Sequence, residues 1–426
     1  MEPIGKKWIW FIFPINIAAE GLHTVIPLFV IKLGGGIGEV SVAIAIHYGA
    51  AALGSVFWGK ILDKYHAKKA VLVIAFSMIL LSCIWLYYAE KITPVYLISI
   101  MTGFFLVARG PVTQMLVMET SQRNQWSKFF ARTSILSTLG SLAAMLIGAV
   151  WSFYFDIRQY FLICAVSTGI AIFISMHITK THFHIERSTI AHSLLGMQHI
   201  FSHFRFHHHF VFPKVPELYD YKHVIAILKG RVYHEIGFLF LTNLMFYFGS
   251  NMYFTALTPF LKHLGLSDST VFTLYLIQTC TMVGIFFIAP RIIGRIGEEH
   301  SAIIAYVPRI AGVLIAAFMV NLFVAPSVLV FAIVSMCLMV VGFSIYSTAN
   351  SVLLFKSIPK GFEGTYLGVN SSMIGMGVFG GALSAGLITK SFDYFATFIV
   401  AALVMAASIF MFRMFLRHRL SGKTVN

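Results

Sequence analysis

Long apolar runs alternate with short polar breaks along the whole chain. Twelve such runs can be read, at 8–31, 39–62, 70–89, 94–118, 129–152, 158–178, 234–261, 269–293, 300–323, 327–355, 364–389 and 394–416. A helix rises about 1.5 Å per residue, so about 20 apolar residues cross the ~30 Å hydrocarbon core of a bilayer. Each run therefore predicts one transmembrane helix. The breaks hold turn-forming or charged residues, as in Gly34-Gly35-Gly36, Glu90-Lys91 and Ser357-Ile358-Pro359-Lys360-Gly361. The pattern predicts an all-α membrane protein with a six-helix half over 1–178, a central segment over 179–233 and a second six-helix half over 234–426. The first run follows Lys6 and Lys7 and is too long for a secretory signal, so it reads as the first span.

Composition agrees with this pattern and removes other classes. The 426 residues are 58% hydrophobic and only 11% charged, against about 25% charged in soluble domains. So few charges cannot cover a water-facing surface, which excludes a soluble enzyme and a disordered scaffold. The net charge of +15 would point to nucleic acid in a soluble protein. Here its placement gives a different answer. With both termini cytoplasmic, Lys32, Lys91, Arg158, Lys262 and Lys390 face outside, Arg109 and Arg309 fall within spans, and the other 24 of the 31 basic residues lie inside. That is the positive-inside asymmetry. It predicts a multi-pass protein of the plasma membrane, with the lipid bilayer as partner and no nucleic acid. Cys83, Cys164, Cys280 and Cys337 all sit in apolar runs, far apart, and read as small apolar filler. There is no HExxH, GxSxG or P-loop, so neither an enzyme nor a cofactor is expected.

The halves repeat weakly. Pro27-Leu28-Phe29-Val30-Ile31-Lys32-Leu33-Gly34 ends the first span, and Pro259-Phe260-Leu261-Lys262-His263-Leu264-Gly265 ends the seventh. The stretch Glu119–Gly140 lines up with Lys356–Gly377, with a small residue, an aromatic and a glycine at matching offsets. Between spans two and three the chain reads Gly59-Lys60-Ile61-Leu62-Asp63-Lys64-Tyr65-His66-Ala67-Lys68-Lys69. This resembles the main loop motif of the major facilitator superfamily, matched at Gly59, Asp63, Lys64 and Lys68. His66 stands where the family prefers glycine and Ala67 where it prefers a base. The equivalent loop, Pro290 to Gly297, keeps Arg291 and Arg295 and has no acid.

The resemblance implies a secondary transporter whose two halves rock about a central site, with a monomer sufficient. It assigns Asp63 to a latch between the halves in the outward-open state. On physical grounds Gly59 is expected to pack closely on a neighbouring helix, and Lys64 and Lys68 to pair with Glu119 at the end of span four. Proton-coupled drug exporters of the family carry an arginine about twenty residues before that acid. Arg109 lies only ten before Glu119 and is not that arginine.

Ionisable groups within spans are costly and mark cavities or partners. Asn16, Glu20, His23 and Thr24 share one face of the first span, with His47 at a depth similar to His23. Glu20 lies roughly 18 Å and Arg109 roughly 13 Å from the cytoplasmic end, a gap that an arginine can close. A Glu20–Arg109 pair is therefore expected. The resemblance puts spans one, four, seven and ten around the cavity, which makes Glu20, His23 and Arg109 the candidate site, with Asn251 opposite Glu20 by the repeat. Glu20, with His23, is the candidate proton carrier, and Arg109 its counter-ion or the contact for an anionic substrate. A static buried ion pair is the competing reading. Arg309 is expected to snorkel towards the cytoplasm. Span eleven is glycine-rich, with Gly377 and Gly381 forming a GxxxG.

The central segment holds His199, His203 and His207 on one helical face, among phenylalanines. Such spacing suits zinc, nickel or copper, and equally an amphipathic segment on the membrane surface. The functional expectation is proton-coupled efflux of an amphipathic small molecule. The alternatives are uptake of an organic anion or nutrient, and a transporter-fold sensor of metal or pH with the histidine-rich segment as receiver.

Overall fold

The computed structural model describes residues 4–65, 67–120, 126–178, 234–321, 325–357 and 363–423. The first six-helix half holds α1 (Ile12–Lys32), α2 (Ile37–Tyr65), α3 (Lys68–Tyr88), α4 (Ile92–Leu106), α5 (Arg109–Thr120), α6 (Trp126–Tyr154) and α7 (Tyr160–Met176). The second holds α8 (His234–His263), α9 (Asp268–Ile296), α10 (Glu298–Ile304), α11 (Tyr306–Met319), α12 (Ala325–Ser357), α13 (Glu363–Ser391) and α14 (Tyr394–Lys423). A 3-10 turn over Ile4–Phe11 leads into α1. There are no strands among the described residues.

Eleven of the predicted spans are long and apolar enough to cross a membrane. The twelfth, α8, is 30 residues long but is interrupted by Asn243, Ser250 and Asn251. It packs most extensively on α13 and α14. Large apolar side chains such as Leu81, Trp85, Phe153, Phe173, Phe287 and Leu403 point outwards. They form the belt that a lipid-facing surface needs.

Two predicted spans are each two helices. Span four breaks between α4 and α5 at Val107–Ala108, four and three residues before Pro111. Span nine breaks between α10 and α11 at Ala305, three residues before Pro308. Proline lacks the N–H for the i−4 bond and its ring crowds that carbonyl, so the ladder opens about one turn upstream. Both intramembrane arginines lie beside these breaks. Arg109 opens α5, and Arg309 follows Pro308.

The repeat is visible in detail. Gly34 (φ +86°) and Gly265 (φ +81°) end α1 and α8 in the left-handed conformation, where glycine has no Cβ penalty. In both cases the next residue's N–H closes onto a carbonyl five residues back, Gly35 to Val30 and Leu266 to Leu261. A Cβ on Gly140 would sit 2.6 Å from the Phe13 carbonyl oxygen, and one on Gly377 would sit 2.4 Å from that of Leu244. The two aligned glycines thus let α6 close onto α1 and α13 close onto α8. Gly381, the other half of the GxxxG, meets the Phe248 carbonyl at 2.2 Å in the same test. The GxxxG therefore binds helices within one half.

The halves meet along α2 with α13 and α6 with α9. An even number of spans puts both termini at one face of the bundle. The close contacts between halves run towards the opposite face. Ala52 meets Gly375 and Phe379 meets Gly49 near mid-helix, while Ser41 meets Gly386 near the helix ends. On the second seam Gly148 packs on Phe272, and Ser269 donates to the Ala149 carbonyl at 2.6 Å.

Candidate functional site

The polar centre of the first half is built where α1, α2 and α4 cross. Gly103 sets the crossing, because a Cβ there would lie 2.0 Å from the His47 carbonyl oxygen. With only hydrogen at that point, α4 lies directly on α2 and brings Ser99 and Thr102 against the His47 ring. His47 Nδ1 is 3.2 Å from Thr102 Oγ1. From α1, His23 meets His47 edge-on with ring centroids 4.9 Å apart, and Tyr48 lies 5.7 Å from His23 and 5.3 Å from His47. Gly21 allows Tyr160 and Cys164 of α7 to back this part of α1.

Glu20 and Arg109 do not form the expected ion pair. Arg109 Nη1 instead donates to Asn16 Oδ1 at 2.7 Å, and Ser137 Oγ donates to the same oxygen at 3.0 Å. The reason is depth. Asn16 lies four residues, about 6 Å, nearer the helix start than Glu20, level with a guanidinium that begins a new helix after the proline break. Glu20 remains within electrostatic reach of both Arg109 and His23. The second half has a similar three-helix tie. Tyr346 Oη donates to Asn243 Oδ1 at 2.7 Å, and Asn243 Nδ2 donates to Asn370 Oδ1 at 2.6 Å. Asn251 donates Nδ2 to the Val378 carbonyl at 2.7 Å, so it joins α8 to α13.

Arg309 does not snorkel. It is 1% exposed, among the largest fully buried side chains. Its Nε donates to Ser250 Oγ at 3.1 Å and its Nη1 to the Met339 carbonyl at 2.6 Å. The guanidinium lies 4.4 Å from the Phe246 centroid and 5.4 Å from that of Phe343, and Tyr346 stacks on the far side of Phe246 at 3.8 Å. Sequence reasoning missed this cage. Its signals were a proline beside an intramembrane arginine and the density of Phe and Tyr on span seven.

Of the expected latch, Gly59 and Lys68 are among the residues whose side chains are described, while those of Asp63, Lys64 and Glu119 lie outside that set. A Cβ on Gly59 would meet nothing within 4 Å. Among the described residues, nothing makes the expected close helix contact at Gly59. The second half also departs from expectation. An acid does stand at its equivalent loop, one residue beyond Gly297. Glu298 Oε1 accepts from Lys356 Nζ at 2.6 Å. This is the expected base-to-acid contact between loop and span end, with the signs exchanged, because Lys356 occupies the aligned place of Glu119. His199, His203 and His207 lie outside the described residues, among which no metal-binding group of three ligands occurs.

Outside the spans, Lys32 pairs with Asp156 and Lys262 with Asp268, the latter at 2.7 Å. Partial burial disfavours the Asp156 charge. The Lys32 ammonium and the Arg158 backbone N–H outweigh it and hold the carboxyl below its ordinary value.

Residues 4–373 and 239–425 match the family model of the Major Facilitator Superfamily. No curated protein sequence matched the chain. Among solved structures, the nucleoside transporter NupG aligns over 98% of this chain and 99% of its own, with TM-score 0.71 and 14% identity. A bacterial homolog of the human lysosomal transporter Spinster, in an inward-facing and unoccupied conformation, aligns over 99% and 98% with TM-score 0.72 and 9% identity. A D-xylose–proton symporter aligns over 96% and 95% with TM-score 0.67 and 14% identity. At these identities the likeness establishes the fold.

Proposed function

The chain belongs to the Major Facilitator Superfamily, and from that membership we propose that it is a proton-coupled carrier of a small amphipathic solute, working by alternating access. Membership makes it a multi-pass membrane transporter of a small solute, in a family of carriers rather than enzymes. The finer reading rests chiefly on Glu20. This carboxyl stands mid-span within electrostatic reach of the His23 imidazole and is not tied into a salt bridge with Arg109. A carboxyl held by a fixed ion pair is locked in its charged form. One left beside titratable rings can gain and lose a proton as access changes.

The positive-inside distribution supports cytoplasmic termini, and a plasma-membrane location is part of the proposal. The glycine-lined contacts between halves then close the outer side, so the arrangement faces inward. Asp63, Lys64, Lys68 and Glu119 form the latch of the opposite state. Export is the proposed direction, because the spans carry few charges, which suits an amphipathic or lipophilic solute more than a sugar. Uptake of an organic anion is the second reading. It is favoured by Arg109, a half-buried cation whose described partner is a neutral amide. A single carrier unit suffices for either.

The test begins with thermal stability of the purified protein against a panel of organic anions, lipophilic cations, nucleosides and sugars at two pH values. A ligand that binds the folded state raises the midpoint. The solute so identified is then followed into vesicles under a pH gradient. Glu20→Gln is expected to abolish gradient-driven accumulation while leaving exchange at equal pH. Full accumulation by that variant sinks the coupling role, and the sign of net flux separates export from uptake.

A further inference from the structure

An open aromatic groove lies at the face of the bundle that carries the termini. Trp8 and Trp10 of the 3-10 turn form one side, and Phe173, Ile174 and His177 at the end of α7 form the other. Its free volume of about 330 Å3 falls within the ~300–1,000 Å3 of ligand sites. Trp8 fixes the turn in place. It is 5% exposed, and its indole N–H donates to Thr120 Oγ1 at the end of α5, 3.2 Å away. The turn also packs on α7. The other walls are open, with Trp10 59% and Phe173 66% exposed. His177 stands at the polar end. Its Nδ1–H donates to the Phe173 carbonyl at 2.8 Å, and its ring lies 4.7 Å from that of Phe173.

Two observations say what covers these rings. The first is continuity. Leu162, Val166, Ile170 and Phe173 are all exposed and follow one another at four, four and three residues, which places them on one face of α7. In a spanning helix such a face meets hydrocarbon, so the groove continues a lipid-facing stripe at its terminal end. The second is charge. Lys6 and Lys7 directly precede Trp8, and no acid stands in residues 3–19. Tryptophan favours the depth of the lipid headgroups, and bases at that depth attract anionic lipid. An acyl chain satisfies the first observation and a phosphate the second. One molecule carries both.

We propose that the groove binds one anionic phospholipid, with an acyl chain against Trp10 and Phe173 and the phosphate drawn to the basic segment before Trp8 and to His177. Binding requires neither the solute nor the coupling proton. Placing the lipid in the inner leaflet rests on the cytoplasmic termini proposed above. Because Trp8 is tied to Thr120, next to Glu119 of the latch, a lipid seated here steadies the end of span four as well as the start of span one. The site is therefore expected to stabilise the fold when filled.

The direct test is native mass spectrometry of the full-length protein in detergent, titrated with phosphatidylglycerol or with phosphatidylcholine of the same chains. One phosphatidylglycerol is expected to bind in clear preference to phosphatidylcholine and to raise the thermal midpoint. Lys6→Gln and Lys7→Gln should each weaken it about fivefold and leave phosphatidylcholine unchanged. Trp10→Ala and Phe173→Ala should weaken it severalfold. Both side chains are exposed, so their midpoints without lipid should stay put, which shows that the variants fold. Phe153→Ala, 73% exposed at the other end of α6, should bind as the unaltered protein does. Glycerol 3-phosphate, the same headgroup chemistry without chains, should not compete. Equal binding of the two lipids, or an equal loss in Phe153→Ala, overturns the site in favour of an unselective lipid shell. Full competition by glycerol 3-phosphate overturns it in favour of a free phosphate site, and a dimer lost in Phe173→Ala overturns it in favour of a second copy of the chain. Cysteine labelling of the N-terminus in intact cells separates the leaflet from the site. If the N-terminus is labelled from outside while lipid binding is as described, the proposed topology falls and the lipid site stands.

Discussion

Arg309 shows how much a single side chain can bind together. A cation in a membrane interior has to be solvated by the protein. Here two hydrogen bonds and two aromatic faces do so, joining α11 to α8 and α12. Arg309→Leu removes two charge-assisted bonds, worth roughly 1.5–3 kcal/mol each when assessed by deletion, and returns some of that through apolar burial. A net loss of about 2–4 kcal/mol is expected, read as a fall of several degrees in the thermal midpoint. Arg309→Lys keeps the charge but not the planar fork, and should recover less than half of the loss. An unchanged midpoint in the leucine variant would show that the cage adds no stability. At the outer loops the scale is smaller. Asp156 has a lowered pKa, so its charge stabilises the fold above the ordinary carboxylate value near 4, and this contribution fades as pH falls through the lowered value. An exposed pair is worth about 0.2–1 kcal/mol. Asp156→Asn should therefore cost that much at pH 7 and progressively less as pH falls below the ordinary carboxylate range. A deficit that persists undiminished at pH 2 would place the effect in something other than the charge.

Between helices, stability depends on how closely two backbones approach, and the glycines decide that. Gly103 lies against the His47 carbonyl, so Gly103→Ala must push α4 off α2. Overpacking of this kind costs about 1–3 kcal/mol, and here it also draws Thr102 away from His47. Gly169, in the middle of α7, has nothing within 4 Å of an added Cβ. Gly169→Ala should instead stabilise by about 0.5–1 kcal/mol through helix propensity. Thermal midpoints of the two variants should therefore move in opposite directions, and movement in the same direction would refute the packing argument. This scale also explains what could be read from the sequence. Span ends were legible because a bilayer demands about 20 apolar residues per crossing. Gly140 and Gly377 were legible as aligned positions of a repeat. The common depth of His23 and His47 was legible, though not that their rings touch. The partner of Arg109 was not, because Pro111 breaks the span and resets the level of the arginine, and a straight-helix estimate does not contain that break. The burial of Arg309 was hidden for a similar reason. Spacing along one span does not say which neighbouring spans it faces, and the three that form the cage are far apart in sequence.

Over the whole molecule, the two seams behave differently from the packing inside each half. Inside a half, glycine brings backbone onto backbone, as at Gly377 and Gly381, and such contacts have little room to slide. Across the seams, glycines meet side chains. Gly148 faces the Phe272 ring, Gly49 the Phe379 ring and Gly386 the Ser41 side chain. Side chains can change rotamer and release, so the halves part along the seams before either half deforms. Gly386 lies where α2 and α13 close the face opposite the termini, and an added Cβ there would stand 2.5 Å from Ser41 Cβ. Gly386→Val should wedge that end apart without disturbing the polar centre near His47. The check is a distance distribution between spin labels on cysteines introduced at Gly36 and Ser391, both exposed at this face, with the four native cysteines replaced. The unaltered seam should give one short population. The valine variant should add a longer one, several ångströms out, and its share should fall when Ser41→Gly restores the space. If the variant keeps the short distribution alone, the seam yields locally and the glycines do not control the opening of this face. If the long population appears but Ser41→Gly leaves it in place, the wedge acts somewhere other than the Ser41 contact. Only the reversible result fits a carrier whose halves move as units about seams held by side chains.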